Sequence, residues 1–142
     1  MPKKQIAVVG AVFRRDGRLL LAQRSSGHLA GMWEFPGGKI EDGETPQESL
    51  ARELKEELGV KAEIGEFVAD TVFEYEQVSI HLSCFWIDYC VGELEPREHS
   101  QIQWVLPEQL ATMNLAPADI PIALSILEGE DKDGICTGFG EG

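Results

Sequence analysis

Cysteine is scarce and unpatterned in this chain. Cys84, Cys90 and Cys136 stand at unrelated spacings, which excludes a disulfide framework and a zinc-ligand pattern and leaves free thiols of a cytosolic protein. No apolar run approaches the ~20 residues that a membrane span requires. Met1-Pro2-Lys3-Lys4 leads directly into a strand-like segment, without the hydrophobic region and cleavage site of a signal peptide. Basic residues are few as well: 12 Lys and Arg against 25 Asp and Glu give a net charge of −13. A nucleic-acid polymer is therefore not the expected partner, because its binders carry basic patches. An anionic small molecule stays open, since a bound divalent cation inverts the local field. The expectation is a cytoplasmic protein with no membrane partner, as a monomer or a homodimer.

What remains is ordinary globular material. With 142 residues, 43% of them hydrophobic and 26% charged, the chain suffices for one domain around a single core. There is no internal repeat, linker or low-complexity block before residue 129. The expected division is a domain over 1–128 and a flexible, glycine-rich acidic tail over 129–142.

One stretch organises the rest: Gly38 to Val60, GKIEDGETPQESLARELKEELGV. It opens as a glycine-rich turn, Phe35-Pro36-Gly37-Gly38, and becomes a helix. Thr45 is a good N-cap, Pro46 suits the first helical position, and Glu48 completes a capping box. Gly59 is placed to end the helix. Leu50, Ala51, Leu54 and Leu58 share one stripe at helical spacing and should pack on a core. Glu53, Glu56 and Glu57 lie along the edge of that stripe at i,i+3 and i,i+4 spacings, so their carboxylates reach one patch of space. Like charges so arranged weaken an isolated helix by a few tenths of a kcal/mol per pair, and Arg52 offsets only part of this. Two readings follow: a solvated charged face, or hard oxygen ligands for Mg²⁺ or Mn²⁺.

Elsewhere, Ile6–Phe13 reads as a buried central strand. Asp16-Gly17 is a hairpin signal, and Arg18–Gln23 returns as a second strand. Arg24 either lies near a phosphate or closes a strand at the surface, and His28 belongs to a polar loop. Gly37 and Gly38 permit backbone angles closed to other residues, turning a carbonyl toward a metal. Residues 62–74 form a strand with an irregular start at Gly65, Tyr75-Glu76-Gln77 a turn, and residues 78–89 a long strand. That strand has Val78, Ile80, Leu82, Cys84 and Trp86 on one face. Residues 92–100 read as a polar loop, 103–106 as a short strand, 107–111 as a helical turn and 119–128 as an amphipathic helix. Phe35, Tyr75 and Trp33 are either core aromatics or stacking partners for a base. Strands with two helices predict an α/β sandwich around a mixed sheet.

The spacing Gly38-x5-Glu44-x7-Arg52-Glu53-Leu54-x-Glu56-Glu57-x-Gly59-Val60 resembles, at every fixed position, the signature box of the Nudix hydrolases. Trp33-Glu34-Phe35-Pro36-Gly37-Gly38-Lys39 is similar to the lead-in of MutT-type nucleoside triphosphate pyrophosphohydrolases. Leu115-Ala116-Pro117-Ala118-Asp119-Ile120-Pro121 is similar to a segment of the CTP pyrophosphohydrolase branch. The resemblance spans roughly residues 4–128 and implies an α/β/α sandwich with a mixed sheet between helices. It further implies Mg²⁺-dependent cleavage of a nucleoside triphosphate to monophosphate and pyrophosphate, with Mn²⁺ as a substitute metal.

By the same resemblance the metal ligands are Glu53, Glu56, Glu57, the Gly37 carbonyl and a loop glutamate at Glu98; the alternative for Glu98 is a solvated loop acid. Glu53 is the implied proton acceptor for the attacking water, with Glu98 its rival. Arg52 and Glu44 form an orienting ion pair. Asp119 holds the position that bonds the base, and Arg24, Phe35, Gly38, Lys39 and Tyr75 complete the implied substrate contacts. Preferred substrates stay divided between 8-oxo-dGTP and cytosine nucleotides. Hydrolysis of ADP-ribose or another nucleotide sugar is an alternative, although its marker proline position is Glu76 here. Dinucleoside polyphosphate hydrolysis has Tyr75 near its marker position. A non-catalytic nucleotide-sensing module is the alternative of another class, and such modules generally lack a box glutamate.

Overall fold

The helix that the capping residues define is present in full. In the computed structural model, which describes residues 3–132, α1 runs from Pro46 to Leu58. Thr45 accepts from the Glu48 backbone while the Glu48 side chain accepts from the Thr45 backbone, a cap that contributes about 1 kcal/mol. Gly59 closes the helix at φ 73°, in the left-handed region that favours glycine. Leu50, Leu54 and Leu58 are fully buried, each contributing ~1.5–3 kcal/mol.

The strands are β1 (Lys4–Val12), β2 (Arg14–Arg15), β3 (Arg18–Arg24), β4 (Trp33–Glu34), β5 (Gly37–Lys39), β6 (Lys61–Glu74), β7 (Val78–Val91) and β8 (His99–Val105). They form two sheets, of which one is the expected mixed sheet. One has the order β5-β1-β7-β6 and is mixed, because β1 pairs parallel with β7 and antiparallel with β5. The other is antiparallel around β3, which pairs with β2, β4 and β8. The ladder breaks at Phe13, whose side chain is buried on the α1 side, and the chain changes sheets there. Asp16 and Gly17 both take positive φ in the hairpin that follows, as a two-residue Asp-Gly turn requires.

The apolar run of β1 is buried on both faces only from Val9 onward. Contrary to expectation Ala7 is exposed and Ile6 and Val8 are half-buried, because this end of the strand lies toward the open edge of the core. Val9 and Ala11 pack with Leu20, Phe85 and the α1 leucines. Val12 packs on the other side with Leu21, Leu82, Cys84 and the apolar face of α2 (Asp119–Lys132). The result is the expected layered α/β/α arrangement.

Several boundaries differ from expectation. β8 begins at His99, inside the segment read as loop, because its ladder with β3 continues through polar residues. α2 runs past the expected end at Glu128 to Lys132; the rest of the expected tail, residues 133–142 with Cys136, lies outside the described residues. β6 has bulges between Glu63 and Ala69, at the irregularity expected around Gly65. Trp33 is a core residue, packed with Leu115 and Phe35, and does not line the pocket described below. No helix among the described residues is long and apolar enough to cross a membrane.

Candidate active site

Arg52 is the hub of the acidic edge of α1. Its guanidinium forks onto Glu44, with Nε to Oε2 at 2.7 Å and Nη2 to Oε1 at 3.0 Å. Nη1 reaches Glu53 at 3.1 Å and Glu56 at 3.3 Å, and Nη2 donates to the Lys39 carbonyl at 3.1 Å. The fork holds the Glu44 carboxyl well below the usual range, at about 2, since an ionised guanidinium in bidentate contact favours the carboxylate. One cation thus ties the loop before α1, the end of β5 and two of the three box carboxylates together.

The two site glycines are needed for space. Neither Gly37 nor Gly38 takes a positive φ, contrary to the backbone-angle expectation. A Cβ on Gly37 would lie 1.9 Å from the Val9 carbonyl oxygen, because β5 runs tightly along β1. A Cβ on Gly38 would lie 2.3 Å from Glu53 Cδ.

The three box glutamates have different environments. The Glu56 side chain is 54% exposed and that of Glu53 14%, while Glu57 is buried at 7% exposure. Burial raises Glu57 to about 9, with the charges of Glu53, Glu98 and Glu34 adding to the effect. Glu57 Oε1 is buried without a hydrogen-bond partner, the kind of orphaned polar atom that calls for an explanation. Glu98 is exposed, in a loop fastened to the end of α1 by Glu95 N–H to Leu58 O and Arg97 N–H to Glu57 O, both at 3.0 Å. No ready-made cage of three metal-binding side chains exists among the described residues, and both Glu53 and Glu56 are bonded to Arg52. The donor set, hard carboxylate oxygens with an unsatisfied buried one among them, fits a divalent cation of the Mg²⁺ type.

Beside this edge lies a pocket of about 740 Å³, bordered by Gly38 and Lys39 and lined by Arg24, His28, Glu34, Phe35, Tyr75 and Asp119. Asp119, the first residue of α2, is 5% exposed. Its Oδ1 accepts from the Phe35 N–H at 3.0 Å. Burial, then the charge of Glu34, raises its pKa well above the ordinary value. Tyr75 meets His28 edge to face, with ring centroids 5.2 Å apart. Arg24 pairs with Glu34 at 3.0 Å and donates to the His28 carbonyl at 3.0 Å. The structure therefore brings Arg24, Phe35, Gly38, Lys39, Tyr75 and Asp119 to one cavity, next to the box acids.

Two residues at this junction escaped the sequence reading. Glu34 pairs with Arg24 and with His99. The available signal was a carboxylate between the buried aromatics Trp33 and Phe35, where a solvated acid has no place. His99 carried no signal, since it sat in a segment read as loop.

The NUDIX domain family matches residues 3–125. The CTP pyrophosphohydrolase of Escherichia coli K12 is 45% identical over 120 residues, covering 84% of this chain and 89% of that one. The 8-oxo-dGTP diphosphatase of Haemophilus influenzae is 35% identical over 129 residues, covering 89% and 95%. Among solved structures, the E. coli ORF135 protein superposes with a TM-score of 0.85 at 40% identity, covering 94% of this chain and 96% of that one. The MutT NUDIX hydrolase from Burkholderia pseudomallei superposes with a TM-score of 0.81 at 25% identity, covering 87% and 99%. With the box, the layered fold and these relatives together, the chain belongs to the Nudix hydrolase family, whose members generally need divalent cations.

Proposed function

We propose that this protein is a Mg²⁺-dependent nucleoside triphosphate pyrophosphohydrolase that clears the nucleotide pool, acting on cytosine nucleotides (CTP, dCTP and modified forms) ahead of 8-oxo-dGTP. The observation that carries the reading is Glu57 Oε1, buried and unpartnered, among Glu53, Glu98 and Glu34 and beside a nucleotide-sized pocket. The E. coli relative named for CTP, at 45% identity, favours cytosine.

Glu53, Glu56, Glu57, Glu98 and the Gly37 carbonyl would hold the Mg²⁺, or Mn²⁺ in its place, which supplies charge neutralisation for the triphosphate and a water of lowered pKa. Glu53, held between Arg52 and Gly38, takes the proton of the attacking water, with Glu98 as its rival. Arg52 keeps Glu53 and Glu44 in place. Phe35 and Tyr75 stack on the base, Asp119 accepts from its amino group, and Arg24, Gly38 and Lys39 border the nucleotide. The products are a nucleoside monophosphate and pyrophosphate. The reading is that of a cytoplasmic enzyme without membrane or nucleic-acid partner, acting as a monomer or homodimer. Its chemistry lies in residues 1–128, apart from the acidic tail.

The raised pKa of Asp119 favours a second reading. A protonated carboxyl both donates and accepts, which suits an oxidised purine. A panel of CTP, dCTP, 8-oxo-dGTP, UTP and ADP-ribose, assayed with Mg²⁺ and product analysis, decides between them. Pyrophosphate release with the highest kcat/KM on cytosine nucleotides is expected. A higher value on 8-oxo-dGTP supports the second reading; orthophosphate as product, or uniformly low rates, overturns both.

A further inference from the structure

Glu34 stands between the box acids and the base pocket, and its charge is felt by both Glu57 and Asp119. Its two oxygens are held from opposite sides. Oε1 pairs with Arg24 Nη1 at 3.0 Å, and Oε2 lies 2.9 Å from His99 Nε2. The His99 side chain is 6% exposed, and its Nδ1 is buried with no hydrogen-bond partner. Among the described residues the Glu34 contact is therefore the one hydrogen bond its ring makes.

His99 reaches Glu34 because the β3–β8 ladder slips by one residue. Gln23 pairs with Gln101, but Arg24 pairs with His99, leaving Ser100 as the extra residue of a bulge. Paired residues share a face of a sheet, and residues two apart on a strand share it too. Glu34 pairs with Ala22, so Glu34, Ala22, Arg24 and His99 all lie on one face. In an unbroken ladder Ser100 would occupy that place. Bulges commonly re-aim a side chain in this manner beside functional sites. The preceding residue, Glu98, is fastened to the end of β3 by Ser25 Oγ, which donates to its carbonyl at 2.8 Å.

We infer that His99 is a positioning residue for base discrimination: it holds the Glu34 carboxylate in the one orientation that faces the pocket. A carboxylate has about four lone-pair sites. Arg24 and His99 engage two, and the others accept from an exocyclic amino group of the base. The chain from Glu34 through His99 to Glu98 also joins the base pocket to the loop beside Glu57. This inference rests on the reading of the pocket as the base site.

The test compares wild type, His99→Ala, His99→Gln, Glu34→Gln and the His99→Ala/Glu34→Gln double variant on CTP and UTP, which differ in the amino group. Loss of one hydrogen bond to a charged acceptor predicts a KM for CTP about tenfold higher in His99→Ala, with kcat and the KM for UTP nearly unchanged. His99→Gln, whose amide donates from the place of Nε2, restores most of the loss. The double variant matches Glu34→Gln alone, since coupled residues are not additive. Should His99→Ala not fold, His99→Leu keeps the bulk without the donor and carries the same expectation. A wild type that treats CTP and UTP alike removes the reading of the pocket and this inference with it. A discriminating wild type whose preference survives His99→Ala, or whose variants add independently, removes the inference alone.

Discussion

Gly38 and Glu53 share a space that only glycine leaves open. A methyl group on Gly38 would fall 2.3 Å from Glu53 Cδ and 2.5 Å from its Oε1. Gly38 and Glu53 are thus two halves of one contact, and the side chain of one fills the space the other leaves.

Gly38→Ala should push the Glu53 carboxylate off its position. Overpacking of this kind costs ~1–3 kcal/mol, and misplacing a reacting group by about 1 Å costs ~100-fold in rate. Steady-state kinetics and thermal unfolding measured together check this. Activity that survives with a lowered melting temperature would show that Glu53 need not sit there.

Arg52→Lys keeps the charge and loses the fork onto Glu44. A compact ammonium cannot reproduce two parallel bonds, nor serve Glu53, Glu56 and the Lys39 carbonyl at once. A fall in kcat of about tenfold or more is expected, equivalent to ~1.4 kcal/mol of lost positioning. Kinetics of the variant at saturating Mg²⁺ measure it.

Glu57→Gln should stabilise the metal-free protein while abolishing its response to Mg²⁺. The Glu57 pKa is raised from 4.5 to about 9, so the folded state binds more protons than the unfolded one across that interval. Stability from this group then falls as pH rises through it. At pH 8 folded Glu57 holds a proton that the unfolded chain has lost, so replacing the titratable carboxyl with an amide should raise the melting temperature by a few degrees, at about 2–8 °C per kcal/mol. Scans with and without Mg²⁺ check both halves: wild type gains stability from the metal by mass action, and the variant does not.

Asp119→Asn should flatten part of the pH dependence of stability. Asp119 has a folded-state pKa well above its ordinary value, chiefly through burial. Its contribution is therefore most favourable at acid pH and is lost as pH rises above the unfolded value of 3.8. The amide oxygen still accepts from Phe35 N–H, so the fold keeps that bond. Melting temperatures from pH 4 to 9 should decline less in the variant than in wild type.

Local chemistry made α1 readable in advance. Thr45, Pro46 and Glu48 act on the first turn and Gly59 on Lys55 four residues before it, so no distant contact was needed to place them. The irregular start of β6 around Gly65 and the Asp16-Gly17 hairpin were legible for the same reason. The role of Gly37 and Gly38 was not: the bare sequence suggests special backbone angles, whereas β1 and Glu53 crowd them from elsewhere in the chain. Trp33, open between core and stacking by composition, went to the core because β4 pairs inward against β3.

The sequence by itself determined the capped helix, the register of acids along its edge and the family to which that spacing belongs, because these are short-range and periodic. Only the tertiary structure decided that Glu57 is buried while Glu56 is solvated, that Arg52 reaches back to Glu44 and the Lys39 carbonyl, and that Glu34 meets His99 across 65 residues. Burial and long-range contacts depend on which strands lie side by side. A one-residue slip between β3 and β8 was enough to choose which side chain meets Glu34.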